Sequence, residues 1–257
     1  MQSIKEILQD FEPISLQEME GSELMERMDL KYFFTVDRLP AVLSHLKEHY
    51  KVLCVLDNRL CKYESLYFDT TDFELFYNHH RGRSNRRYKV RFRKYVESEL
   101  HFFEVKFRNR RGRTIKDRIM QGRMSQVIQH NAKDFLKEKT PLEAGELEPK
   151  LMVRYSRMTL VNKSFPERVT IDLNVNFQNN NGDKTIDNLI IAEVKQDKPF
   201  VSPFIKVMRG QHIREVALSK YCFGVVTLYE NMKHNNFKPN LIYIKKLLNG
   251  TLARTTH

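Results

Sequence analysis

A mainly β chain of the α+β class is predicted here, closed into an eight-stranded antiparallel β-barrel tunnel with peripheral helices, and three observations predict it. Two segments alternate cation with hydrophobe: YKVRFRKY sets Lys89, Arg91 and Arg93 against Val90 and Phe92, and HFFEVKFR sets Glu104, Lys106 and Arg108 against Phe103, Val105 and Phe107. Side chains spaced two apart share a face of a sheet, so each segment has one apolar and one ionic side. The same alternation recurs along the chain. ERMDLKYFF carries Arg27, Asp29 and Lys31, PKLMVRYSRM carries Arg154, RVTIDLNVNF carries Arg168, Thr170 and Asp172, and IIAEVKQ carries Glu193 and Lys195. Finally, helical patterns near 37–50, 125–138 and 219–232 can cover the apolar side, which turns the ionic side inward. Closure also removes the exposed strand edges.

In chain order, residues 1–22 read as an N-terminal helical segment, 23–250 as a single domain and 251–257 as a C-terminal tail. A strand at 26–34 comes first, and Asp37 can cap the helix that follows, with Pro40 tolerated in its first turn. KVLCVLD and KYESLYFDT read as paired strands, with Asp69 a strand-end or turn residue. Residues 71–87 form a basic, turn-rich connection before the strands at 87–96 and 100–108. In NRRGRTIKDRI, Gly112 marks a turn into another strand bearing Arg113 and Lys116. The helix at 125–138 interrupts the sheet, and strands resume at 149–162, 167–177 and 188–196, with NNNGDKTIDN as a hairpin connection. From Pro203 the pattern is helical, and Ser219 is a natural N-cap for SKYCFGVVTLYENM.

Composition excludes several classes. No apolar run approaches a membrane span, and the N-terminus MQSIKEILQD is acidic without a signal core. The expected location is the cytoplasm, including the cytoplasmic side of a membrane if a separate partner supplies the anchor. Cys54, Cys61 and Cys222 are scattered, and His79 and His80 have no HExxH-like spacing, which argues against a disulfide framework or a zinc site. Lys and Arg number 44 against 32 acids, a net charge of +12 that points to a phosphate-rich partner.

A barrel lined by so many cations must hold water or an anion, because desolvating each ion costs several kcal/mol. Arg and Lys grip phosphate oxygens through charge-assisted hydrogen bonds, so a linear triphosphate or longer chain fits the lining. Glu193 within that lining reads as a ligand for Mg²⁺ or Mn²⁺, which proteins hold by one or two carboxylates plus phosphate oxygens. Glu104 and Asp172 read equally well as partners that hold cations in place.

Taken in order, ERMDLKYFF, YFDT, RRYKVRFRKY, FFEVKFR, RVTIDLNV, AEVK and SKY carry a resemblance from about Glu26 to Tyr229. The chain resembles the VTC domain, the polyphosphate polymerase branch of the CYTH-like triphosphate tunnel metalloenzymes. That resemblance implies an antiparallel tunnel in which a nucleoside triphosphate binds with a divalent metal, often Mn²⁺. The terminal phosphate would then pass to a growing polyphosphate. By position, Arg91, Arg93, Lys106, Arg154 and Lys195 would compensate charge on the transferring phosphoryl group, and Glu193 would hold the metal. Lys31 and Lys220 would bind phosphates; Lys220 is implied by the resemblance alone. Arg27, Lys89, Arg108, Arg113, Lys116 and Arg168 extend the expected substrate-binding set. No nucleophilic Ser, His or Cys is needed, in keeping with the absence of a GxxxxGK[ST] loop or a kinase signature.

Two other functions are open on sequence. A tunnel triphosphatase would share almost every binding group; the hydrolase branch has an ExExK first strand, whereas this chain reads Glu26-Arg27-Met28-Asp29-Leu30-Lys31, with Asp29 able to replace a carboxylate. A non-catalytic binder of polyphosphate or RNA is the other. The chain has no Trp, and its strand aromatics fall mostly on the apolar face, which argues against nucleic acid.

Overall fold

The structure, a computed structural model, describes residues 3–20, 28–81, 87–108, 114–196 and 200–252. Among these residues eleven strands form one sheet, with β1 at Glu12–Ile14, β2 at Met28–Thr35, β3 at Tyr50–Leu53, β4 at Cys61–Thr70, β5 at Arg87–Tyr95 and β6 at Leu100–Arg108. It continues with β7 at Thr114–Gln121, β8 at Leu147–Asn162, β9 at Glu167–Asn179, β10 at Gly182–Ile186 and β11 at Leu189–Gln196. The main path runs β2-β11-β9-β8-β4-β5-β6-β7, and its ladders are antiparallel. Among the described residues only β1 and β3 pair in parallel. Among the described residues no helix is long and apolar enough to cross a membrane.

The sheet curls strongly. Strands β2 and β6 are six places apart in the order and would stand roughly 29 Å apart in a flat sheet, yet Lys106 Nζ lies 3.5 Å from an Asp29 carboxylate oxygen. The face on which they meet is the inner face. Among the described residues no ladder joins β2 to β7, so the hydrogen-bonded ring expected from the sequence is not formed. Both seam strands carry cations, Lys31 on β2 and Lys116 and Arg118 on β7, and such charges oppose edge pairing.

Helices cover the outer face. The helices α1 (Ile4–Gln9), α3 (Leu39–Leu46) and α6 (Pro203–Gly210) bury the outward residues of β2, β9 and β11, including Phe34, Val169, Ile171, Ile190 and Val194. The helix α5 (His130–Lys139) covers Val90, Phe92, Phe103 and Val105. It starts five residues later than the sequence pattern suggests. Asp37 does not cap α3: residues 36–38 form a 3-10 turn, and the N-cap position is Arg38 without a side-chain bond. Residues 71–87 contain a helix not foreseen, α4 (Glu74–Arg81), whose first amides are taken by buried Asp69 through bonds from Leu75 (2.8 Å) and Phe76 (2.9 Å). Asp69 also accepts the Tyr221 hydroxyl, so it fastens elements together instead of facing a substrate.

The inner face is not ionic throughout. The helix α7 (Lys220–Leu228) lies on one end of it and buries Tyr221, Cys222, Phe223 and Val225 against Phe33, Leu151, Val153, Val175, Phe177 and Ile191. Apolar residues therefore face inward there. In β9 this requires a change of parity, supplied by Asn174 in the left-handed region (φ 52) where the pairing with β8 jumps between Arg154 and Ser156. Val169, Ile171 and Leu173 point outward before the bulge, and Val175 and Phe177 point inward after it.

Helix α7 comes close at Gly224. A Cβ there would stand 2.5 Å from Leu151 Cδ2 and 2.6 Å from Phe177 Cδ1, both in the packed core. Gly224→Ala should therefore destabilise the protein by about 1–3 kcal/mol, read as a lower urea midpoint at unchanged m-value. An unchanged midpoint would show that α7 sits more loosely than described.

Candidate phosphate-chain site

Alternation places Lys89, Arg91 and Arg93 of β5, Lys106 of β6 and Lys116 of β7 on the inner face, across from Lys31 of β2 and Lys195 of β11. Arg157 of β8 and Lys220 at the start of α7 join them. These nine buried or half-buried cations meet four carboxylates, Asp29, Glu104, Asp172 and Glu193. Cations therefore outnumber carboxylates on this face, the balance that suits a polyanion.

The groups fall into three linked clusters. Glu104, 1% exposed, accepts from Arg91 Nε (2.7 Å) and forms an ion pair with Lys116 Nζ (2.5 Å), with Arg93 Nη1 at 3.9 Å. Burial alone would raise its pKa, but Arg91, Arg93 and Lys116 outweigh burial and hold it well below the ordinary carboxylate range. Burial pushes the Lys116 amine down to about 7, with Glu104 opposing. A second cluster centres on Asp172, which takes Arg157 in a two-point fork at 2.6 and 2.8 Å and also pairs with Lys220. In the third, Glu193 pairs with Lys195 at 2.5 Å, with Lys31 and Lys106 nearby. Burial would raise the Glu193 pKa, yet these three lysines keep it well below its usual value.

Lys31 and Lys89 have no carboxylate within 4 Å among the described residues. Burial first, and then the fields of Lys106, Lys31 and Arg91, bring Lys89 down to about 7. Such a lysine regains full charge when an anion is placed beside it.

A layer of tyrosines supports the arginines. Arg91 donates to the Tyr67 hydroxyl (2.6 Å), and Arg93 donates to the Tyr155 hydroxyl (3.1 Å) and Ser65 Oγ (3.2 Å). The Arg157 guanidinium lies 5.1 and 5.0 Å from the ring centres of Tyr63 and Tyr155, which stack at 5.4 Å. These contacts fix guanidinium planes before any ligand arrives.

The structure does not bring every expected residue here. Arg154 lies on the outer side of β8, 40% exposed, donating to Glu64 (3.3 Å) and Gln178 (2.6 Å). Its parity was read by taking Leu151 and Val153 as outward, whereas α7 draws them inward; Arg157, not anticipated, takes the inner position. The alternation of Tyr155 with Arg157 in RYSRM was the available signal. Arg168 stands opposite Lys195 in register on the inner side of β9, and its side chain donates to the Met19 carbonyl (3.3 Å) of the N-terminal helix α2 (Leu16–Glu20). Arg108 is exposed at the end of β6, opposite Arg87 in register. Arg27 and Arg113 lie outside the described residues.

Among the described residues no three His, Cys, Asp or Glu side chains assemble into a metal cage. Glu193 is half-buried, and Asp29 stands in the adjoining register pair opposite Lys195. This donor set fits a divalent cation whose shell is completed by phosphate oxygens, the usual arrangement for Mg²⁺ and its relatives.

A family model described as the VTC domain matches residues 26–229. The chain belongs to the VTC domain family. No curated protein matches it. Of solved structures, a candidate adenylyl cyclase from Hippeastrum, described as having a dominant triphosphatase activity, superposes on this VTC domain with a TM-score of 0.51 at 13% identity. That match covers 82% of this chain and 100% of the other. A candidate adenylate cyclase from Vibrio parahaemolyticus gives 0.48 at 14% identity over 78% of this chain and 99% of that one. One from Bacillus halodurans gives 0.47 at 12% identity over 76% and 96%. At such identity the Hippeastrum likeness concerns the fold: the VTC domain has the triphosphate tunnel fold with its seam unpaired.

Proposed function

We propose that this VTC domain is a metal-dependent polyphosphate polymerase, transferring the terminal phosphate of a nucleoside triphosphate to a growing polyphosphate along the inner face. The observation that carries this reading is the uncompensated positive charge of that face, with Lys31 and Lys89 free of carboxylates among the described residues. A site of cations without an adjacent nucleophile–base pair suits phosphoryl transfer, which needs positioning and charge stabilisation more than covalent chemistry.

In this scheme Arg91, Arg93, Lys106 and Lys195 act on the transferring group, and Lys31, Lys89, Lys116, Arg157 and Lys220 hold the flanking phosphates. Arg91 and Arg93 present fixed guanidinium planes, while the unpaired lysines accept the added negative charge. Glu193 would hold Mn²⁺ or Mg²⁺, which when bound supplies charge neutralisation across phosphate oxygens. For that the Glu193 carboxylate must give up part of its bond to Lys195, freeing the lysine for phosphate.

One observation favours a second reading, a tunnel triphosphatase. Asp29 of β2 stands 3.5 Å from Lys106 of β6, where a second carboxylate would help to orient water. The triphosphatase activity described for the Hippeastrum protein lends this some support.

Purified protein incubated with ATP and Mn²⁺ separates the two. Long polyphosphate on a gel, lost by roughly 100-fold or more in Glu193→Gln, is the expected result. Free phosphate without chains would give the site to the hydrolase, and turnover unaffected by Glu193→Gln would remove Glu193 from the chemistry.

A further inference from the structure

Beyond the arginines, the inner face changes character toward the β5–β6 turn. Phe102 stands between Arg93 and Met120 in register, one inward step from the Arg91–Glu104 pair. It is half-buried and belongs to none of the packed cores. Its ring meets Tyr95 edge-on at 5.7 Å, and the Arg118 guanidinium lies over it at 4.6 Å. Arg118 is exposed and Met120 is 62% exposed, so this platform opens to solvent while touching the phosphate-chain site.

The rings beneath Arg91, Arg93 and Arg157 are buried tyrosines that hold those guanidinium planes, whereas the ring beneath Arg118 is open to solvent, and a phosphate chain has no use for an open ring. A nucleoside base does have one, because bases stack on aromatic rings and on guanidinium planes. A Met thioether adds polarisable contact at the ring edge. We propose that Phe102 and Arg118, with Met120 beside them, form the stacking platform for the base of a nucleoside triphosphate whose phosphates lie on Arg91, Arg93 and Lys116. The inference rests on the reading of the inner face as a phosphate-chain site and adds to it the part that distinguishes a nucleotide from inorganic polyphosphate. Stacking reads a base's face instead of its edge, so adenine and guanine nucleotides bind alike.

The test is calorimetric titration with two probes, adenosine 5′-(β,γ-imido)triphosphate and inorganic tripolyphosphate, on the wild-type protein and on Phe102→Leu and Arg118→Gln. Phe102→Leu is expected to weaken the nucleotide analogue roughly fivefold or more, the size of one stacked base, and to leave tripolyphosphate within about twofold. Arg118→Gln is expected to weaken the analogue more than tripolyphosphate. Equal weakening of both probes would make Phe102 a structural residue, and no change in either would empty the platform; both results overturn the proposal. If wild-type protein binds neither probe, the phosphate-chain reading itself falls and takes the platform with it. Wild-type affinity of the variants for tripolyphosphate serves at the same time as the check on folding.

Discussion

Glu104→Gln should lower the stability of the unliganded protein by on the order of 3 kcal/mol, and tripolyphosphate should restore much of that loss. The carboxylate is 1% exposed and is shared by Arg91, Arg93 and Lys116. Glutamine keeps the shape and one acceptor but removes the charge that offsets three cations. Breaking a buried ion pair from one side is costly because the remaining charges stay desolvated. At roughly 2–4 °C per kcal/mol for a chain of this size, the melting temperature should fall by about 6–12 °C. The ligand supplies the sharper criterion. An anion on the inner face substitutes for the missing carboxylate, so the rise in melting temperature with tripolyphosphate should be larger in the variant than in the wild type. Equal rises would mean that Glu104 and the phosphate chain do not share these cations.

The second large effect is on rate. Arg93→Lys keeps the charge but not the fork that bonds Ser65 and Tyr155 together while reaching toward Glu104. A lysine ammonium is a mobile point charge, and a planar donor set cannot be reproduced by it. If Arg93 stabilises charge developing on the transferred phosphoryl group, kcat should drop by about 10²-fold, the usual consequence of losing one fixed donor, with a much smaller change in KM. A parallel loss of kcat and melting temperature would instead mark Arg93 as a support for the tyrosine layer. The decisive comparison is with Tyr155→Phe, which leaves the guanidinium in place with one bond fewer and should give an intermediate rate.

How much of this was readable beforehand depends on where a strand sits. In β5 and β6 the alternation of Lys89, Arg91 and Arg93 with Val90 and Phe92, and of Lys106 with Val105 and Phe107, settles which side faces inward, because α5 covers only the apolar side. There, periodicity alone carries the argument. In β8 and β9 it fails, since α7 lays an apolar surface on part of the inner face and the bulge at Asn174 reverses the parity of β9. Arg154 was thereby exchanged for Arg157, and no local pattern records a helix that arrives from more than sixty residues downstream.

By itself the sequence determined the kind of molecule: a basic, mostly antiparallel sheet with a cation-bearing side, the feature from which a phosphate-rich ligand is proposed. Those follow from period-two chemistry and net charge, which every conformation of the chain retains. The tertiary structure alone decided which cations share Glu104, Asp172 and Glu193, that no ladder joins β2 to β7 among the described residues, and that Phe102 stands half-buried under Arg118 beside the arginines. The physical reason is range: alternation is a property of neighbours along the chain, whereas charge compensation and burial depend on residues that only curling of the sheet brings within a few ångströms.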